Sequence, residues 1–238
     1  MRILMTGGSG LLGREIQRID SSVVAPSHAE LDIMDRDSLE RAVGKYSPDV
    51  ILHCAAATRP PEHAEDPQLG LTVNIVGTAN MAAVSIRSGR KLVYTSTDYV
   101  YCGSGPHREE EAVSASHNFG WSKLGGECAA RLVPRHLILR LSFGPVPFPW
   151  DGAYDGQHNS KLYVDEMAPL VLAAAKSKAE GVMNIGGPRM SLAEYARRTR
   201  PDIQTIATPS WVPRDTSMSL DKMKRELGIA DERALLKH

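Results

Sequence analysis

The chain has 238 residues, of which 42% are hydrophobic, enough for one large domain or a domain with a smaller lobe. Its 28 lysine and arginine residues balance its 28 aspartate and glutamate residues without a basic block, which argues against nucleic-acid and anionic-membrane partners. Three cysteines without C-x-x-C spacing indicate reduced thiols, not a disulfide framework or a metal site. We see no apolar run of membrane length and no signal peptide before the first strand, so we expect a soluble cytoplasmic protein.

The first 13 residues carry the most informative motif. Residues 2–5 are predicted to form a short buried strand, and the glycine-rich stretch that follows opens a helix. Within it, Gly8-Ser9-Gly10-Leu11-Leu12-Gly13 is a G-x-G-x-x-G sequence, whose glycines allow a tight turn and a close approach to a pyrophosphate. The N–H groups at the start of the helix would bind the phosphates. This context predicts a dinucleotide site for FAD or a nicotinamide cofactor; a P-loop is excluded because no Gly-Lys-Ser/Thr follows.

Downstream, apolar segments of strand type alternate with helical periodicity. Predicted strands cover residues 23–25, 50–54, 91–95, 137–141 and 181–185, and the main predicted helices cover residues 11–18, 67–88, 116–131, 166–176 and 220–227. The alternation predicts an α/β fold with a doubly wound parallel sheet of the Rossmann type and a small C-terminal substrate lobe. We assign residues 1–142 and 161–186 to the dinucleotide-binding core, and residues 143–160 and 187–238 to the lobe.

The end of the predicted second strand bears on the choice of cofactor. An acidic residue there would hold the adenosine ribose hydroxyls and repel a 2′-phosphate. This chain has Ser27 and His28 at that place. We therefore expect NADP(H) or NAD(H), with a mild preference for NADP(H).

Several further motifs follow in a fixed order. They are Gly7-x-x-Gly10-x-x-Gly13, Leu31-Asp32-Ile33, Ala55-Ala56-x-Thr58, Asn74-x-x-Gly77-Thr78-x-Asn80, Ser96-Thr97-Asp98-Tyr99-Val100-Tyr101 and Gly120-x-Ser122-Lys123-x-x-Gly126-Glu127. Together they resemble the extended short-chain dehydrogenase/reductase family, and within it the dTDP-4-dehydrorhamnose reductase branch. The resemblance is dense over residues 1–140 and returns at 163–166, 184–187 and 213–220.

The resemblance implies a nicotinamide cofactor lying across the edge of the sheet and a nucleotide-linked sugar whose 4-keto group is reduced. The implied cofactor contacts are Gly7, Gly10, Leu11, Leu12, Gly13, Ser27, His28, Asp32, Ile33, Ala55, Ala56, Ala57, Thr95 and Lys123. Arg59, Phe143, Trp150 and His158 are the candidates for substrate contact. A homodimer is compatible with this interpretation, and the implied pathway is dTDP-rhamnose biosynthesis.

In the catalytic group of the family, a Ser or Thr polarises the carbonyl, a Tyr donates the proton, and a Lys lowers the pKa of that phenol. Thr97 and Lys123 match the first and third roles, but the family pattern Tyr-x-x-x-Lys is Phe119-Gly-Trp-Ser-Lys123 in this chain. Losing a general acid typically costs about 10²–10⁴ in rate. Three explanations stay open: an engineered variant, another proton donor, or a non-catalytic regulatory protein that binds the cofactor. A sugar-nucleotide epimerase is the enzymatic alternative.

The potential replacements for the missing phenol are Tyr99, Tyr101, His117 and His158, and all four are expected to be poor. Tyr99 and Tyr101 follow the strand and are expected to be packing groups. His117 lies about 200° around the predicted helix from Phe119 and should point away from it.

Overall fold

The computed structural model of the chain describes all 238 residues and contains a central sheet of five parallel strands. These are β1 (Ile3–Thr6), β2 (Val50–His53), β3 (Lys91–Thr95), β4 (His136–Leu141) and β9 (Gly181–Ile185), in the spatial order β1-β2-β3-β4-β9. Nearly every residue of these strands is buried, as expected for a parallel sheet covered on both faces. The predicted Rossmann-type α/β architecture is confirmed.

Helices cover both faces of the sheet. They are α1 (Leu11–Ile19), α2 (Arg36–Tyr46), α3 (Pro60–Glu65), α4 (Pro67–Ser88), α5 (Asn118–Ala130), α6 (Val164–Lys176), α7 (Leu192–Arg197) and α8 (Asp221–Leu227). One face is covered by α1 and α6, whose apolar side chains share a core of 28 buried residues with the sheet. On the other face, α2 and α4 contribute to a core of 16 buried residues. The two layers hold the sheet edge rigid, and that edge positions the site.

The predicted second strand is much shorter than expected. Only Val24 pairs with β1, as an isolated bridge to Leu4, with a hydrogen bond from Met5 N to Val24 O and one from Val24 N to Ile3 O. Pro26 cannot donate a ladder hydrogen bond, so the pairing ends there. Val24 nevertheless lies beside β1 on the side opposite to β2. The strand order therefore reverses at β1, and a crevice opens at the carboxyl ends of the strands there.

Helix α4 is also long and apolar enough to span a membrane, with a mean hydropathy of 1.5, so our expectation that no segment approaches that length overlooked it. Half of its most apolar window is buried inside the fold, as in a core helix. Its segment Gly70–Val76 is π-helical, a local widening that is common at functional sites.

A third, smaller core of eight buried residues lies in the C-terminal lobe, formed by Phe148, Ala153, Tyr163, Leu192, Ala193, Tyr195, Ala196 and Ile203. Short strand pairs surround it: β5 (Phe143–Gly144) with β8 (Leu162–Tyr163), β6 (Gly152–Tyr154) with β11 (Gln204–Ile206), and β7 (His158–Asn159) with β10 (Met190–Ser191). Ser191 and Glu194 form a capping box at the start of α7. Met218, Leu220 and Met223, which the sequence assigns to the lobe, are buried in the core of the sheet.

Candidate active site

A cavity of about 2000 Å³ runs along the carboxyl ends of the sheet strands and continues between the sheet and the C-terminal lobe. In open α/β sheets this crevice is the usual place for a ligand. Its walls come from the glycine-rich turn after β1, the loops after β2, β3 and β4, helix α5 and the lobe. Its volume suits an extended ligand such as a dinucleotide together with a second molecule.

Most of the predicted site residues line this one cavity. They are Gly7, Gly10, Leu11, Leu12, Gly13, Ser27, His28, Asp32, Ile33, Ala55, Ala56, Arg59, Thr95, Thr97, Phe119, Lys123, Phe143 and Trp150. Two predicted residues do not line it. Ala57 is bonded through its backbone to Asn74 instead, and His158 pairs in β7 with its backbone bonded to Arg214 and Thr216.

The glycine-rich turn leaves no room for side chains at two positions. Gly7 has a φ of +76°, and a Cβ there would lie 2.7 Å from Ala55 N; at Gly13 a Cβ would lie 2.3 Å from Gly7 O. Helix α1 begins at Leu11 without any side-chain cap, so the N–H groups of its first turn stay free at the cavity wall. The turn is thus a close-packed anion cradle that fits a pyrophosphate.

The surroundings of Ser27 correct the electrostatic reason for preferring NADP(H). The Glu30 carboxylate accepts hydrogen bonds from Ser27 N at 3.1 Å and Ser27 Oγ at 3.0 Å. These bonds, the backbone one first, lower the pKa of Glu30, so the carboxylate is ionised at neutral pH. A negative charge therefore does lie beside the end of the second strand, where it would disfavour a 2′-phosphate. Glu30 lies three residues after Ser27, so the residues at the end of the strand did not reveal its carboxylate.

Replacing Glu30 by glutamine is expected to shift the binding preference from NADH towards NADPH. Because Glu30 is exposed and screened, the ratio of the two dissociation constants should change by only about two- to fivefold. Fluorescence titration with both cofactors measures the ratio, and Glu40→Gln, an exposed change on α2, is the control. An unchanged ratio would mean that Glu30 does not sense the ribose.

Thr97 lies just beyond β3 and is only 6% exposed. Its hydroxyl accepts a hydrogen bond from Tyr99 N at 3.2 Å, which fixes the Oγ position at the start of a short turn. The same hydroxyl lies 3.3 Å from Asp98 Oδ1. This fixed hydroxyl is suited to polarise a substrate carbonyl at the cavity wall.

Lys123 projects from α5 into the same cavity. Its ammonium lies 4.4 Å from the centre of the Tyr94 ring, and its side chain takes part in no ion pair. Burial lowers the pKa of Lys123 to about 8, because the charged form is poorly solvated there. An ammonium without a carboxylate partner at a cavity wall is available for a ligand hydroxyl.

Replacing Lys123 by methionine is expected to stabilise the folded chain at pH 7. The lysine binds its proton less tightly in the folded state than in the unfolded state, where its pKa is near 10.5. Below pH 8 the charged lysine therefore lowers the free energy of unfolding of the wild type by on the order of 3 kcal/mol. This loss of stability disappears as the pH rises from 8 towards 10.5. Urea denaturation of both proteins should therefore give stabilities that differ at pH 7 and converge towards pH 10. Equal stability at pH 7 would contradict a buried, poorly solvated ammonium.

Phe119 is 8% exposed and lies among three aromatic side chains. The ring centre of His63 is 5.3 Å away, that of His117 is 6.1 Å away and nearly parallel, and that of Tyr99 is 6.4 Å away. Our expectation that His117 points away was wrong. His117 caps α5 from outside the helix, with an extended backbone and its Nδ1 accepting from Gly120 N, so helical angles do not apply to it.

The two tyrosines after β3 behave differently. Tyr101 is a fully buried packing group whose hydroxyl donates to Asn184, as expected. Tyr99 instead lines the cavity, which corrects its assignment as a packing residue. Burial raises the pKa of Tyr99 to about 12, which makes its phenol a weak acid. Neither tyrosine is a simple replacement for the missing phenol.

Asn74, in the π-helical part of α4, connects the two halves of the site. It bonds both backbone groups of Ala57, at 2.9 and 3.0 Å, and donates to Ser122 Oγ at 2.8 Å. The loop after β2 is therefore fastened to the helix that carries Phe119 and Lys123. Replacement of this amide would loosen both walls of the cavity together.

Sequence reasoning missed several residues that line the cavity. They include Arg14, Gln17, Met34, Tyr154, Gln157, Lys161 and Trp211. Arg14 could have been found, since it follows Gly13 at the start of α1 and its guanidinium donates to Ser9 O. Lys161 and Trp211 gave no local signal, because long-range folding of the lobe brings them to the site.

Comparison with known proteins gives consistent results. The family model described as the RmlD substrate binding domain matches residues 1–144. A dTDP-4-dehydrorhamnose reductase of Streptomyces griseus is 37% identical over 134 residues, covering 54% of this chain and 44% of that protein. The methionine adenosyltransferase 2 subunit beta of Xenopus laevis is 33% identical over 140 residues, covering 54% and 42%. These alignments therefore span less than half the length of the curated relatives.

A solved structure has the same fold throughout. The dTDP-4-dehydrorhamnose reductase of Bacillus anthracis, crystallised with NADP, superposes with a TM-score of 0.85 and 22% identity, covering 98% of this chain and 96% of that one. The family match extends over more than half of the chain and includes every motif from the glycine-rich turn to β4. The chain belongs to the RmlD substrate-binding domain family of extended short-chain dehydrogenase/reductase proteins.

Proposed function

We propose that this chain is an NAD(P)H-dependent oxidoreductase that reduces a keto group on a nucleotide-linked deoxysugar, in the manner of a dTDP-4-dehydrorhamnose reductase. The observation that carries the proposal is the joint presence of Thr97 and Lys123 in the cavity that begins at the glycine-rich turn. A hydroxyl that can polarise a carbonyl and an ammonium that can bind a ribose hydroxyl, both in the cavity that begins at a dinucleotide cradle, support hydride transfer to a carbonyl.

The chain fits a nicotinamide cofactor. The free N–H groups at the start of α1 would bind its pyrophosphate, and Lys123 would hold the nicotinamide ribose. Asp32, whose Oδ1 accepts from Met34 N, and Ile33 would border the adenine. When bound, the cofactor supplies the hydride. The relative crystallised with NADP supports this choice of cofactor class, while Glu30 leaves NADH competitive.

In the reaction, Thr97 would donate a hydrogen bond to the carbonyl oxygen and stabilise the negative charge that develops on it. Lys123, an ammonium at neutral pH, would add a favourable field. Phe119 provides the ring of the family tyrosine without its proton. We therefore propose that the chain is a slow reductase, and that the sugar contacts include Arg59, Phe143 and Trp150.

The remaining properties follow from the same assignment. We propose a cytoplasmic location, because the proposed reaction needs a nucleotide sugar and a reduced nicotinamide cofactor in the same compartment. A second copy of the chain is a suitable partner, since the outer faces of α4 and α5 expose the apolar side chains Leu71, Val76 and Trp121. Contact between two copies there would cover them.

The function is tested by measuring NADPH and NADH oxidation with a panel of 4-keto nucleotide sugars, including dTDP-4-dehydrorhamnose. We expect slow oxidation that requires both the sugar and Thr97, so that Thr97→Val abolishes it while cofactor binding remains. Tight cofactor binding without oxidation on any substrate, even after Phe119→Tyr, would instead indicate a regulatory protein.

A further inference from the structure

Asp98 follows Thr97 and is the most unusual carboxyl group of the site. It is 3% exposed and lines the cavity, yet it forms no ion pair. Its side-chain oxygens face hydroxyl groups: Thr97 Oγ1 lies 3.3 Å from Oδ1, and Thr216 donates to Oδ2 at 2.6 Å. A buried carboxylate normally has a cation in contact with it.

Burial, and not the charges around it, favours the neutral form of Asp98. Burial raises the pKa of Asp98, while the charge of Lys161, which also lines the cavity, and hydrogen bonds from Thr216, Thr97 and Ser142 oppose this only in part. Lys161 is half-buried, and its partial desolvation lowers its own pKa. Both groups are therefore displaced towards their neutral forms, and a protonated Asp98 is more accessible than a protonated exposed carboxyl group.

The protonation of Asp98 decides what Thr97 can do. A hydroxyl has one proton to donate and two lone pairs to accept with. If Asp98 is ionised, the Thr97 proton points to Oδ1 and is not available to a substrate. If Asp98 is protonated, Thr97 accepts from Oδ1–H and from Tyr99 N, and its own proton is free to point into the cavity.

We propose that Asp98 is the proton source of this chain, acting through the Thr97 hydroxyl in place of the phenol that Phe119 lacks. The inference rests on the proposed reductase function. As hydride from the reduced nicotinamide forms a C–H bond at the carbonyl carbon, the C=O π pair moves to oxygen. That oxygen takes the proton of Thr97 Oγ1, and Thr97 regains one from Asp98 Oδ1. The nicotinamide is oxidised, the carbonyl is reduced, and the Asp98 carboxylate is reprotonated from solvent.

A double-variant cycle tests the proton route. Asp98→Asn keeps a group that can donate to Thr97 Oγ1 but removes the transferable proton. We expect Asp98→Asn to lower kcat about 10²-fold in the natural chain and much less in the Phe119→Tyr chain, where the phenol supplies the proton. A merely structural role would cost the same in both chains. Asp202→Asn, which removes an exposed carboxylate outside the cavity, is the control and should retain the rate in both chains.

A second measurement does not depend on turnover. The infrared difference spectrum between the natural chain and Asp98→Asn at neutral pH should contain the C=O stretch of a protonated carboxyl group. A spectrum that shows an ionised Asp98 would overturn this inference but not the proposed reductase function. Equal losses of kcat in the natural chain and in the Phe119→Tyr chain would have the same consequence. Absence of oxidation in the Phe119→Tyr chain would overturn the proposed function and this inference with it.

Discussion

Replacing Phe119 by tyrosine is expected to raise kcat for the reduction of a 4-keto nucleotide sugar by about 10²–10⁴-fold, the usual contribution of a general acid. The new phenol would stand on the helical face that carries Lys123 one turn later, in the same cavity. The ammonium of Lys123 would favour the phenolate and thereby lower the pKa of the new group. Steady-state oxidation of NADPH at saturating sugar gives the ratio directly.

The matched control is Phe143→Tyr, which adds a phenol to another part of the cavity wall. It should not raise kcat, because no lysine of the Tyr-x-x-x-Lys pattern accompanies it. A natural chain that already turns over at about 10 s⁻¹, the median for enzymes, would show that the phenol position is irrelevant here.

Replacing Glu127 by alanine is expected to destabilise the chain by about 3–5 kcal/mol, because it leaves a buried guanidinium uncompensated. Glu127 on α5 forms two hydrogen bonds with Arg140 on β4, at 2.8 and 3.0 Å, and both side chains are 1% exposed. Ser96 also donates to the same carboxylate at 2.6 Å. This contact fixes α5, and with it Phe119 and Lys123, on the sheet. Urea denaturation at pH 7 measures the loss.

Two further variants distinguish the loss of the buried ion pair from a general destabilising effect of substitution at this place. Arg131→Ala removes an exposed cation 3.9 Å from the same carboxylate and should cost less than about 1 kcal/mol. The double variant Glu127→Leu with Arg140→Met should recover much of the stability that Glu127→Leu alone loses, since no unpaired charge remains. A loss for Glu127→Ala as small as that for Arg131→Ala would contradict the account of this contact.

The fold and the glycine-rich turn at the cavity wall were predictable from local sequence. The spacing of Gly7, Gly10 and Gly13 and the buried strand before them depend on neighbours within a few residues, and the structure places them as expected. The alternation of helices and strands is likewise a local signal. Phe119 was found because a short motif, with a lysine four positions later, defines its place.

The parts that escaped prediction depend on contacts between distant residues. Asp98 meets Thr216 across 118 positions, and Lys161 reaches the cavity only because β8 pairs with β5. His117 was misjudged because the helix begins one residue after it. Glu30 was overlooked because a turn, not a strand, carries it back to Ser27. Such contacts arise from the completed fold and leave no periodic trace in the sequence.

The central claim is that a nicotinamide cofactor whose pyrophosphate is bound at the glycine-rich turn transfers its hydride to a sugar carbonyl beside Thr97. It is tested most directly by incubating the natural chain with a 4-keto nucleotide sugar and nicotinamide cofactor deuterated at C4, then analysing the product by mass spectrometry and NMR. We predict one deuterium on the reduced sugar carbon, formed slowly in the natural chain and rapidly after Phe119→Tyr. A chain that binds the cofactor but leaves the sugar without deuterium in both forms would contradict the account.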